Sequence, residues 1–182
     1  LNDLSEADSE WNGKILQAIK DDYWAYHLGA VKSFNMHKSS ISIEICSAGY
    51  LTKSNNKFYT WFGTEVHETQ VCILDTPYKG YNYYHKYSMD QIKSLKALLM
   101  LLADKHGIDL KSGIVGMIKS TASNMSHNIG IKGDFTPYSN AFNYKEEANL
   151  GMIKGVLTHG QVRTDKSDVF PQQELIDMLL EL

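Results

Sequence analysis

"SMDQIKSLKALLMLLADKHG", residues 88–107, is the stretch from which the fold is read. Ser88 and Gln91 stand in the capping arrangement that starts a helix, and His106-Gly107 is a helix-ending pair. Between them Ile92, Leu95, Leu98, Leu99 and Leu102 recur at helical spacing, so one face packs on a core. The question is what that face covers.

Strand candidates lie on both sides. "SSISIEICS" (39–47) alternates Ile41, Ile43 and Ile45 against Ser42, Glu44 and Cys46, which predicts a half-buried strand with Glu44 on its polar face. "WNGKILQAI" (11–19) opens on an Asn-Gly turn signal and reads as a hairpin whose first strand lies at or before the N-terminus. "GMIKGVLTH" (151–159) reads as a short buried strand that ends on His159. After it, Pro171 suits a first helical turn, and Leu175, Ile176, Leu179, Leu180 and Leu182 form the apolar stripe of a closing helix. Residues 50–87, rich in Tyr, Lys, Asn and Gly, hold short strand-like pieces such as "KFYTWFG" and "TQVCILD" and are expected to form a surface excursion with a small hairpin. Residues 111–150 have weak periodicity and read as an irregular insertion with room for short helical or strand pieces. The expected architecture is α/β, a mixed central β-sheet packed by amphipathic helices, in one domain spanning 1–182.

Composition narrows the function classes. Eighteen basic residues are scattered among 21 acidic ones for a net charge of −3, which argues against a nucleic-acid partner. No apolar run reaches the roughly 18–20 residues of a membrane span. The acidic start lacks the basic and apolar regions of a signal peptide, and because it carries no Met, an upstream segment is compatible with it. Cys46 and Cys72 sit in apolar contexts and read as small buried hydrophobes.

Chemistry concentrates in "LTHGQVRTDKSDVFP", residues 157–171. His159 follows an expected strand, Lys166 and Asp168 lie in the loop beyond it, and Glu44 stands on the polar face of another strand. A zinc hydrolase needs three protein ligands with an open position, a proton acceptor, and a cation where oxyanion charge develops. Imidazole and carboxylate are suitable ligand types, and these four residues fill most of that list. Arg163 and Asp165 read as the solvated part of the loop.

Three blocks, "WAYHLG" (24–29), "SISIEI" (40–45) and "THGQVRTDKSD" (158–168), follow in the order found in the zinc-dependent N-acetylmuramoyl-L-alanine amidases of the type 2 family, which share a fold with peptidoglycan recognition proteins and several phage lysins. The chain resembles that family from about residue 11 to 182, with 50–87 and 111–150 as insertions. The resemblance implies a Zn2+ cofactor with His159 and Asp168 as two ligands, Glu44 as proton acceptor from the attacking water, Lys166 as oxyanion partner, and His27 lining the groove for a muramyl-peptide. It further implies hydrolysis of the bond between N-acetylmuramic acid and L-alanine of peptidoglycan, at the cell wall or in the periplasm, by a phage lysin or a secreted bacterial enzyme.

Several departures matter. The family's first zinc histidine lies on an early strand that this chain begins too late to contain, so the domain is expected to lack its first strand. His37, His67, His85, His106 and His127 lie in no matching context. Ser42 replaces the usual strand glycine, and Val169-Phe170-Pro171 replaces the usual Pro-Gly.

Each residue also has a plainer reading. Asp168 could complement a helix N-terminus near Pro171, Lys166 be a surface cation, Glu44 face solvent, and His27 serve as a hydrogen-bonded structural side chain. A muramyl-peptide binding module without catalysis is the alternative function, and a zinc hydrolase of unrelated fold a third. Eleven tyrosines and three tryptophans, several of them in 50–87, are candidate groove aromatics.

Overall fold

The computed structural model describes residues 10–20, 22–126 and 136–182. Strands β1 (Leu51–Ser54), β2 (Lys57–Thr60) and β3 (Glu65–Val66) form one antiparallel sheet, and β4 (Val71–Tyr78) with β5 (Tyr81–His85) forms another. A bridge between Tyr50 and Tyr84 brings the two together. Among the described residues six α-helices follow: α1 (Met89–His106), α2 (Ile114–Ser126), α3 (Thr136–Ser139), α4 (Glu146–Asn149), α5 (His159–Val162) and α6 (Gln173–Leu180). The α/β class is as expected, but different segments supply the strands.

All five strands among the described residues come from 50–85, the region expected to be a surface excursion. Its turns explain why it pairs so well. Asn55 and Asn56 both adopt positive φ between paired Ser54 and Lys57, as do Lys79 and Gly80 between Tyr78 and Tyr81. These are two-residue loops whose twist matches that of the strands they join. The β4–β5 hairpin is also far from peripheral, since Tyr78, Tyr84 and Tyr87 are among the buried residues of the main core.

"SSISIEICS" is not a strand. Ile43 and Ile45 do pack on the core, but Ile41 and Glu44 are exposed, and the segment joins no sheet among the described residues. Alternation identified the buried face without identifying a neighbour for the backbone. Cys46 is exposed rather than buried, its carbonyl accepting a bond from Gln91 Nε2 at 2.7 Å. Cys72 is partly buried, and burial pushes its thiol up to about 11.

Residues 11–14 form the expected turn, with Lys14 N–H donating to the Trp11 carbonyl, but residues 14–19 form no strand. The turn docks instead on the start of α1, where the Ser88 hydroxyl donates to Asn12 Oδ1 and the Ser94 hydroxyl to the Gly13 carbonyl. The strand expected before it lies outside the described residues. "GMIKGVLTH" likewise reduces to one parallel bridge between Val156 and Gly113, and His159 opens a helix rather than ending a strand.

Helix α1 has the predicted ends. Ser88 Oγ accepts from Gln91 N–H, Gln91 Oε1 accepts from Ser88 N–H, and Gly107 closes the helix at φ 65°. Ile92 and Leu99 are buried, with Leu95 packed beside them. Helix α6 begins two residues beyond Pro171 and buries Leu175, Ile176, Met178 and Leu179. Helix α2, within the supposedly irregular 111–150, buries Ile114, Val115 and Ile118; its Gly, Ser and Thr content conceals a narrow apolar face. Residues 127–135 of that stretch, His127 included, lie outside the described residues.

One aromatic stack positions the C-terminal loop. Phe170 lies between Tyr84 and Tyr87, at ring-centroid distances of 4.4 and 4.6 Å. Next to it, the Gln172 amide bonds Tyr87 on both sides, accepting from its N–H at 2.7 Å and donating to its carbonyl at 3.0 Å. Asp168, two residues before Phe170, is therefore tied to the β4–β5 hairpin. Among the described residues no helix is long and apolar enough to cross a membrane.

Candidate functional site

His159 is the first residue of α5, and the local sequence fixes it there. Thr158 Oγ1 accepts from Gln161 N–H, and the Gln161 side chain accepts from Thr158 N–H, completing a capping box. Gln161 is fully buried and donates Nε2 to the Ala141 carbonyl at 2.7 Å. A capped turn held from behind leaves His159 little freedom to move.

Gly160 allows this turn to sit so close to the core. A Cβ there would lie 2.5 Å from the Tyr78 hydroxyl, which itself donates to the Phe142 carbonyl at 3.1 Å. Burial, with a smaller contribution from Asp168, pushes the Tyr78 hydroxyl well above the usual tyrosine range. Tyr78 thus acts as a neutral packing post behind the site.

Asp168 returns to the same turn twice. Its carbonyl accepts from Gly160 N–H at 3.0 Å, and its Oδ2 lies 3.1 Å from His159 Nδ1. The His159 contact is the main cause holding the Asp168 carboxyl below its usual value; the positive charge of Lys166 adds to it, while burial opposes it. His159 Nε2 is buried and has no hydrogen-bond partner among the described residues.

These residues fit a zinc ion in part. Imidazole nitrogen and carboxylate oxygen are zinc donors, and neighbouring ligand atoms around a tetrahedral ion stand about 3.3 Å apart for bonds of ~2.0–2.1 Å. The 3.1 Å between Nδ1 and Oδ2 is close to that spacing. No group of three His, Cys, Asp or Glu side chains suited to a metal occurs among the described residues.

The "WAYHLG" and "THGQVRTDKSD" blocks are brought together. Leu28, Val31 and Met36 pack with Ala148, Val162 and Leu157. Asn149 Oδ1 accepts from Lys32 N–H, and its Nδ2 donates to the Val162 carbonyl at 2.9 Å. Arg163, read from sequence as a solvated residue, is the clamp between the blocks. It grips Asp165 with two bonds of 2.8 and 2.6 Å and reaches the Leu28 carbonyl at 3.4 Å. Gly29, at φ 66°, leaves room for it, because a Cβ there would collide with the guanidinium. Nothing in the linear spacing of 29 and 163 announces this contact.

The other candidates are placed less centrally. Glu44 is exposed and makes no hydrogen bond or ion pair with His159 or Asp168. Lys166 is half-buried and felt by Asp168 through its charge. His27 Nδ1 lies 2.8 Å from the Ala25 carbonyl within its own block and Nε2 2.9 Å from Ser40 Oγ, the first residue of the "SISIEI" block, so both ring nitrogens are engaged. Beside it is an aromatic cluster the sequence did not single out. Trp24, Tyr26 and Phe34 are exposed around buried His37, with Tyr26 stacked on the His37 ring at 4.1 Å. Of the aromatics in 50–87, Trp61 and Phe62 are exposed, while Tyr78, Tyr84 and Tyr87 belong to the core.

Comparisons with curated proteins and with solved structures gave no match. The sequence profile of the N-acetylmuramoyl-L-alanine amidases matches residues 8–168, a span that contains all three blocks and reaches Asp168. With most of its length matched, from the turn at Asn12 to the loop that returns to His159, the chain belongs to the N-acetylmuramoyl-L-alanine amidase family.

Proposed function

We propose that the chain hydrolyses the amide between N-acetylmuramic acid and the L-alanine of the peptidoglycan stem peptide, with His159 and Asp168 as two ligands of a zinc ion. Family membership makes it an amidase of peptidoglycan; the observation supporting the finer reading is the 3.1 Å approach of His159 Nδ1 to Asp168 Oδ2 on a capped, buttressed turn. When bound, zinc supplies Lewis acidity that polarises a carbonyl and acidifies water. The remaining chemistry falls to side chains. Asp168, held ionised well below neutral pH, supplies negative charge without needing to lose a proton. Lys166 offers a cation for the oxyanion that forms as the amide carbonyl is attacked. Glu44 takes the proton of the attacking water and passes it to the leaving amine, a role that requires it to approach the turn when substrate binds. His27 borders the groove, its ring fixed by Ala25 and Ser40. The place of action is the cell wall.

The test is digestion of purified cell walls by the full-length protein, with and without zinc, read as new amino groups on alanine. Cleavage lost on chelation and restored by zinc supports the reading. Cell-wall binding that persists with no cleavage under any metal condition identifies a muramyl-peptide binding module instead.

A further inference from the structure

The β4–β5 loop carries a residue that its backbone does not favour. Lys79 sits at φ 50°, followed by Gly80 at φ 88°, in a tight turn whose first position prefers asparagine, aspartate or glycine. The β1–β2 turn has the same form and holds Asn55 and Asn56 there, at φ 49° and 60°. A lysine in the left-handed region persists where its surroundings hold it. Its side chain shows what those surroundings are.

Lys79 Nζ donates to the Thr164 carbonyl at 3.3 Å. Burial pulls its ammonium below the ordinary lysine value, and the nearby Asp165 carboxylate opposes that shift. From the other side Arg163, at the end of α5, grips Asp165 and reaches the Leu28 carbonyl. Thr164 and Asp165 are thus caught between a cation of their own loop and one from the hairpin, and Lys166 and Asp168 follow directly. The residue before Lys79 meets the other half of the site, since Tyr78 presses on Gly160 beside His159. Consecutive residues of one hairpin therefore touch both the turn that carries His159 and the loop that carries Lys166 and Asp168. Among the described residues Lys79 bonds neither His159 nor Asp168, so its effect passes through the loop backbone.

We infer that Lys79 is a positioning residue: by holding the Thr164 carbonyl it sets Lys166 and Asp168 against the His159 turn. The inference rests on the peptidoglycan amidase reading for its consequence, that a loosened loop slows cleavage.

The test compares wild type with Lys79→Asn and Lys79→Arg in the full-length protein. Asparagine suits the turn better than lysine but is too short to reach Thr164, whereas arginine suits it no better and keeps a long cationic donor. Thermal midpoints by circular dichroism should place Lys79→Asn at or above wild type. Two other readouts should run the opposite way. Hydrogen–deuterium exchange of the zinc-free protein, read by mass spectrometry, should be about three- to ten-fold faster over residues 163–168 in Lys79→Asn, the scale of one hydrogen bond, and near wild type in Lys79→Arg. Release of stem peptides from purified cell walls should lose kcat by a similar factor in Lys79→Asn with KM nearly unchanged, and Lys79→Arg should recover most of it. A lysine that served stability alone would make kcat follow the thermal midpoint. Full kcat in Lys79→Asn, a change confined to KM, or an arginine variant as slow as the asparagine one overturns the inference and leaves the amidase reading in place. If wild type releases no peptide, the amidase reading fails and exchange judges the brace: faster exchange over 163–168 in Lys79→Asn upholds it, and rates equal to wild type overturn it.

Discussion

Gly160 gives the sharpest handle on how the His159 turn is built. In Gly160→Ala the new Cβ falls 2.5 Å from the Tyr78 hydroxyl, where ordinary contact begins near 3.4 Å, an overlap of about 0.9 Å. Tyr78 cannot yield easily: it is 2% exposed and its hydroxyl is bonded to the Phe142 carbonyl. Overpacking of this kind costs about 1–3 kcal/mol, against which alanine's helix preference returns at most about 1 kcal/mol, so the net loss should be about 1–2 kcal/mol. Tyr78→Phe alone removes the hydroxyl and its bond, at about 1 kcal/mol. In the Tyr78→Phe background only the approaches to the Phe142 and Lys166 carbonyls at 3.3 and 3.4 Å remain, and Gly160→Ala should be nearly neutral. The double-mutant cycle therefore predicts a favourable coupling of about 1–2 kcal/mol, measured by urea denaturation followed by tryptophan fluorescence. A cost for Gly160→Ala that is the same in both backgrounds would show that Tyr78 is not what presses on the turn.

Other consequences follow from the same geometry. Because the Asp168 carboxyl is held below its usual value by His159, its stabilising effect is complete above the ordinary carboxyl range and is lost as pH falls through the lowered value; wild type should lose stability more steeply than Asp168→Asn below about pH 4, as followed by circular dichroism. Ser88→Ala removes the side-chain cap of α1 and should lower stability by about 1 kcal/mol in denaturant titration without changing cell-wall digestion. Lys166→Ala should reduce kcat by about 10²-fold with little change in KM, since an oxyanion partner acts in the transition state; a change confined to KM would remove that role. Glu44→Gln should lower kcat by about 10²–10⁴-fold while the protein still pellets with cell walls, and undiminished turnover would take Glu44 out of the mechanism.

What could be read from the sequence was mostly local. The Ser88–Gln91 capping box and Gly107 lie within one helix, and both appear in the structure as expected. The stripe of α6 is equally local, although its first turn is displaced beyond Pro171. Strands were harder, because a strand is defined by its neighbour. "SSISIEICS" has the alternation without a partner among the described residues, whereas "KFYT" and "YNYYH" gain partners through tight turns at Asn55-Asn56 and Lys79-Gly80. The strand-like character of "KFYTWFG" and "TQVCILD" was legible; their place in the core was not, because the tyrosine and lysine around the Asn-Asn and Lys-Gly turns read as surface.

The site divides along the same line. His159 and Asp168, nine residues apart, are paired by family order in the sequence and in space by the return of the loop. Arg163 meeting Leu28 and Tyr78 meeting Gly160 span 135 and 82 positions, and only tertiary packing reveals them. Glu44 remains the residue whose assigned role and observed position are furthest apart.

The most direct test is mass spectrometry of the soluble products from purified cell walls treated with the full-length zinc-loaded protein, in wild type and in His159→Ala and Asp168→Ala variants of unchanged circular dichroism. The account predicts stem peptides with a free L-alanine amino terminus from wild type, and release at least about 100-fold slower from both variants. Undiminished release of those peptides by either variant would contradict it.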